Sequence, residues 1–87
     1  MKPIPAYIAE LVGSFFFILT IIASAGNPYI IGVALAVVIL LIGGISGGHV
    51  NPAVSFAMFI SGSLAPADLA SYVVAQLVGG AGAAYAY

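Results

Sequence analysis

Only three of the 87 residues carry a formal charge (Lys2, Glu10 and Asp68), and 64% are hydrophobic. A soluble domain carries about 25% charged residues, so the 3% found here excludes a soluble enzyme, a nucleic-acid binder and a disordered tail. The absence of cysteine rules out disulfides, thiolate metal sites and thiol catalysis. What remains is an all-α, multi-pass integral protein of the cell membrane.

The first apolar stretch, about 5–25, is interrupted only by Glu10, Ser14, Thr20 and Ser24. At 1.5 Å per residue it reaches roughly 31 Å, one hydrocarbon thickness. Asn27-Pro28 reads as a turn that closes it. A second span covers about 29–45, with the charge-free core Val33-Ala34-Leu35-Ala36-Val37-Val38-Ile39-Leu40-Leu41. The segment Gly43-Gly44-Ile45-Ser46-Gly47-Gly48-His49 is too glycine-rich for a good helix, yet its surroundings are too apolar for a water-facing loop. A short helix from Pro52 to about Ile60 follows. It rises only about 13 Å, less than half the bilayer. Pro66 suits the first position of a last span, 66–87, with Asp68 near its positive dipole end and Tyr85 and Tyr87 at its interfacial end. The predicted plan is span, span, half-span, span, in one unit over residues 1–87.

The half-span is the informative element. Irregular backbone at membrane depth survives only where it is buried in protein or lines a polar cavity, and a half-helix entering the membrane aims its N-terminal dipole inward. The region 46–60 therefore reads as a re-entrant loop and half-helix beside a polar path. Asn51-Pro52-Ala53 opens the half-helix. In itself this is a favoured start, with asparagine as N-cap and proline at the first helical position.

Ser46-Gly47-Gly48-His49-Val50-Asn51-Pro52-Ala53-Val54 resembles the first asparagine–proline–alanine loop of the aquaporin and glycerol-facilitator family. Ala9-Glu10-Leu11-Val12-Gly13-Ser14-Phe15 resembles that family's first helix, and Tyr72-Val73-Val74-Ala75-Gln76-Leu77-Val78-Gly79-Gly80 its third. The resemblance extends over nearly the whole chain but corresponds to the first of the family's two inverted halves. It implies a passive channel, or half of one, for water or a small neutral solute such as glycerol. It also implies that Asn51 offers a donor to the pore, that the carbonyls of Gly47, Gly48 and His49 lead towards it, and that Phe17, Ile31 and Leu35 line the wall. For those three, plain packing or lipid contact is the alternative reading.

A carboxylate within a span normally has a partner. Glu10 lies about 7.5 Å from the middle of its helix, towards the Lys2 end. After two crossings the 43–61 segment returns to that side, so Glu10 is expected to accept the loop's free N–H groups. Gln76 reads as loop support too, and His49, the only histidine, as lining or support. No metal site, cofactor or catalytic pair is expected. Gly79/Ala83 and Gly80/Ala84 read as packing pairs. Half a pore wall needs a second inverted half, either the rest of a longer chain or an antiparallel copy, and a homo-oligomer is expected. The rival class is a non-conducting structural module that oligomerises through its small-residue faces.

Overall fold

The computed structural model describes residues 1–87 and contains four helices: α1 (Ile4–Ala23), α2 (Pro28–Ser46), α3 (Pro52–Ile60) and α4 (Pro66–Ala86). Each begins with a proline at its first or second position. Proline lacks an N–H where the helix has no acceptor to offer it, and its φ is already helical. Helices α1, α2 and α4 are long and apolar enough to cross a membrane, and the molecule's 35 Å long axis matches a bilayer core of about 30 Å.

Helix α1 is the central element, packed most extensively on α4 and then on α2, while α3 leans on α4. Helices α1 and α4 start at the same end. There Asp68 accepts from the Lys2 backbone N–H at 2.8 Å and the Tyr7 hydroxyl at 2.7 Å. A small apolar cluster of Ala6, Leu64 and Tyr72, flanked by Tyr7, Phe59 and Leu69, fills this end. Glycine permits the close helix crossings. A Cβ on Gly79 would collide with the Leu11 carbonyl oxygen, and one on Gly13 would lie 2.6 Å from Ile42 Cδ1. Gly79 and Ala83 are buried against α1, whereas Gly80 lies in looser contact, with Ile18 Cγ1 3.8 Å from the place of a Cβ.

Two expectations about local structure are corrected. Gly43-Gly44-Ile45-Ser46 is not irregular: α2 continues through it and ends only at Gly47, whose φ of +93° is left-handed. The glycine penalty in a helix is about 1 kcal/mol per residue. An unpaired peptide group in hydrocarbon costs several kcal/mol, so the helical hydrogen bonds win. Asn27-Pro28, for its part, starts α2 instead of closing α1. The Asn27 Oδ1 accepts from Tyr29 N at 3.0 Å and Ile30 N at 3.2 Å, and the reversal itself is made by left-handed Ala25 and Gly26.

The packing is inside-out relative to a soluble protein. Glu10, Ser14, Ser46, Ser55, Asp68 and Gln76 are buried, while Ile4, Leu40 and Leu41 are exposed. Lipid covers the outer apolar surface without cost, so the interior holds the groups that must hydrogen-bond to each other.

Candidate functional site

The polar interior is organised by Glu10, which is fully buried on α1. Its Oε1 accepts from Val50 N at 2.8 Å and Gln76 Nε2 at 2.9 Å, and its Oε2 from Ser46 Oγ at 2.6 Å and His49 N at 3.0 Å. Four donors from three other parts of the chain thus surround a carboxylate that has no cationic partner. Hydrogen bonds to a charged acceptor are worth more than neutral ones, and four of them satisfy the acceptor capacity of both oxygens. Ser46 Oγ in turn accepts from Gly48 N at 3.1 Å, and Tyr72 donates its hydroxyl to the Ser46 carbonyl at 2.6 Å.

These bonds orient the loop between α2 and α3. The N–H groups of Gly48, His49 and Val50 all turn inward, to Ser46 and Glu10. Every peptide bond is trans, so the carbonyl in each of those three peptide units points the opposite way. Those carbonyls belong to Gly47, Gly48 and His49, and none accepts a hydrogen bond from the chain. The arrangement requires left-handed backbone at Gly47 (φ +93°), Gly48 (φ +66°) and Val50 (φ +44°). Glycine tolerates this; for β-branched Val50 it is a strained conformation, held by its N–H on Glu10 and by close packing beside Gly13.

The loop ends at Asn51, whose Oδ1 accepts from Ala53 N at 2.8 Å while its carbonyl takes Ser55 N at 3.1 Å. The asparagine is exposed, and its amide nitrogen makes no hydrogen bond within the chain, which leaves a donor pair at the positive end of α3. Phe17, Leu35, Gly48, His49 and Asn51 come together, with Ile39, Val50 and Val54, around a cleft of about 210 Å³. Ile31, one turn from Leu35, does not reach this cleft, and neither do Gly47, Pro52 and Ala53. Pro52 and Gln76 instead line a second cleft of about 260 Å³ with Ser14, Ile18 and Val50.

Three members of the network escaped the sequence reading: Ser46, Ser55 and Tyr72. Ser55 Oγ lies 2.9 Å from His49 Nδ1 and accepts from Gln76 Nε2 at 2.8 Å. Its signal was available, because it is the only polar side chain inside the apolar run of α3. Tyr72 lies one turn before Gln76 and so shares its face. Its ring stands edge-on to His49, centroids 5.0 Å apart.

Three spans and a broken, re-entrant element, with a polar interior gathered on one buried carboxylate and a row of outward carbonyls, define a polytopic membrane protein of the aquaporin-like class. The model of the major intrinsic protein family matches residues 1–86, and the chain belongs to that family. Its members are integral, multi-pass membrane proteins and channels. The chain is 38% identical to glycerol uptake facilitator protein-like 6 of Lactiplantibacillus plantarum, over 84% of this chain and 38% of that protein. It is 43% identical to aquaporin-8 of Mus musculus, over 84% of this chain and 32% of that protein. With the aquaglyceroporin AqpS of Rhizobium meliloti the identity is 42%, over 76% and 29% respectively. The chain thus spans about a third of the length of the curated relatives it matches.

Proposed function

We propose that the chain forms one wall of a passive membrane channel for water or a small neutral solute such as glycerol. The observation that carries this reading is the one-sided loop: three successive N–H groups are tied to buried acceptors, and their peptide carbonyls are turned outward and free. Free carbonyls at membrane depth need a polar path in front of them. A molecule that both donates and accepts hydrogen bonds exchanges its hydration for this row and reaches the Asn51 amide at its end. Cations meet the positive end of α3 and the Asn51 donors instead, which oppose them. Phe17, Leu35, Ile39 and Val54 supply the apolar side of the same cleft. Glu10 and Gln76 act behind the loop as its supports and take no part in conduction. The similarity to proteins named for water and glycerol passage agrees with this solute class.

The wall is closed by a second, inverted half, carried on the same polypeptide or supplied by an antiparallel copy. Either would cover Asn51 and the carbonyl row, which in this chain face outward. Osmotic shrinkage of vesicles carrying the gene's whole product tests the reading, in both a sucrose and a glycerol gradient. Equilibration faster than in protein-free vesicles, slowed by a bulky Asn51→Trp substitution, is expected. Equilibration at the bare-lipid rate in both gradients would overturn it.

A further inference from the structure

Ser55 offers one hydroxyl hydrogen, and the structure leaves it a single destination. Its oxygen already accepts from Gln76 Nε2 at 2.8 Å. That amide cannot be turned round, because its oxygen would then face Glu10 Oε1 at 2.9 Å, acceptor against acceptor. The orientation is kept even though it leaves Gln76 Oε1 buried without a partner. Besides Gln76, Ser55 Oγ has one hydrogen-bond neighbour, His49 Nδ1 at 2.9 Å, and no carbonyl of its own helix is within reach. Donation from Nδ1 would strand the Ser55 hydrogen in a fully buried site. A buried donor orphaned in that way keeps the full penalty of its lost hydration.

We propose that Ser55 is a positioning residue that locks His49 in the neutral form carrying its proton on Nε2, so that the outer edge of the ring donates and cannot accept. Nε2 lies beside Gly47, at the exposed start of the loop, and makes no hydrogen bond within the chain. On the channel reading, which this inference deepens, a passing hydroxyl meets a fixed N–H next to the row of free carbonyls. A proton arriving from the same side finds no lone pair on that edge of the ring. The remaining basic site, Nδ1, is covered by the Ser55 hydroxyl. His49 therefore adds a solute-orienting donor and closes a route for proton relay at the mouth of the cleft.

Labelling with nitrogen-15 histidine and carbonyl-carbon-13 glycine selects the ring of Gly48-His49 from histidines of the whole protein that do not follow a glycine. The measurement is the imidazole nitrogen spectrum of the whole protein in lipid, at a pH where the ring is neutral. A single form with protonated Nε2 and a bare, hydrogen-bonded Nδ1 is expected. Ser55→Ala should shift the spectrum to a mixture of both tautomers, and Ser55→Thr should restore the single form. A wild-type spectrum with the proton on Nδ1 overturns the proposal even if no variant folds; so does a Ser55→Ala spectrum identical to wild type. The spectrum is independent of solute flux, so a vesicle that conducts nothing would defeat the channel reading and leave the tautomer decided on its own.

Discussion

The chain contains two asparagine–proline helix starts, and they are locally near-twins. Asn27 and Asn51 both precede a proline at the first helical position, and both cap the new helix through Oδ1. Left-handed residues precede both, Ala25 and Gly26 in one case and Gly47, Gly48 and Val50 in the other. What differs is what the approach touches. The turn before Asn27 is mostly exposed and held by local backbone bonds of its own, such as Gly26 N to Ile21 O at 3.1 Å. The loop before Asn51 is bonded to Glu10, some forty residues earlier in the chain. The same dipeptide therefore makes a plain reversal in one place and, in the other, a polar device aimed at a cleft. Capping chemistry is common to both; the anchor behind the loop is not.

That contrast can be broken at the anchor. Glu10→Ala removes the acceptor for Val50 N, His49 N, Ser46 Oγ and Gln76 Nε2, and leaves α2's start untouched. Each donor left without a partner costs about 1–3 kcal/mol, so a loss of several kcal/mol is expected. It should appear as a collapse of the monodisperse fraction in detergent and a strongly lowered melting temperature. Near-normal melting would mean that the loop holds its shape without its carboxylate.

A second test separates the two asparagines by charge. Asn51→Asp places an acceptor where the free amide donors stood, and cation leak through reconstituted vesicles should rise on the order of tenfold, about 1.4 kcal/mol of barrier. Asn27→Asp should leave the leak unchanged. Equal behaviour of the two variants would reduce Asn51 to a cap like its twin.

Smaller effects sharpen the comparison. Asn27→Ala deletes two cap bonds and should cost about 1 kcal/mol of stability, seen as a modest drop in melting temperature with solute flux unaltered. A change in flux would show that the first start also contributes to the path. Gly44→Ala lies in the last turn of α2, on the approach to the second start, with no neighbour within 4 Å of the new methyl. It should stabilise by about 0.5–1 kcal/mol. Destabilisation there would imply that the turn flexes in the native state.

The number and order of the helices, the shortness of α3 and the anomaly of Glu10 follow from the sequence alone. They depend on residue type and spacing: 20-residue apolar runs, prolines at helix starts, and one carboxylate among hydrocarbon. The fate of Gly43 and Gly44 could not be read this way, because helix propensity is a scale for water and the bilayer reverses the balance. Nor could the cleft's lining, which takes Ile39 and Val54 but omits Ile31; helical spacing assigns residues to a face, and only the placement of α2 against the loop decides how far along that face the cleft extends. The same holds for Ser46, Ser55 and Tyr72. A serine or tyrosine becomes part of the site through the partner it meets, and those partners lie 6 to 36 residues away along the chain. Tertiary structure alone decided which polar groups meet, because a buried hydrogen bond needs its two atoms within about 3 Å, and no local rule of sequence sets that distance.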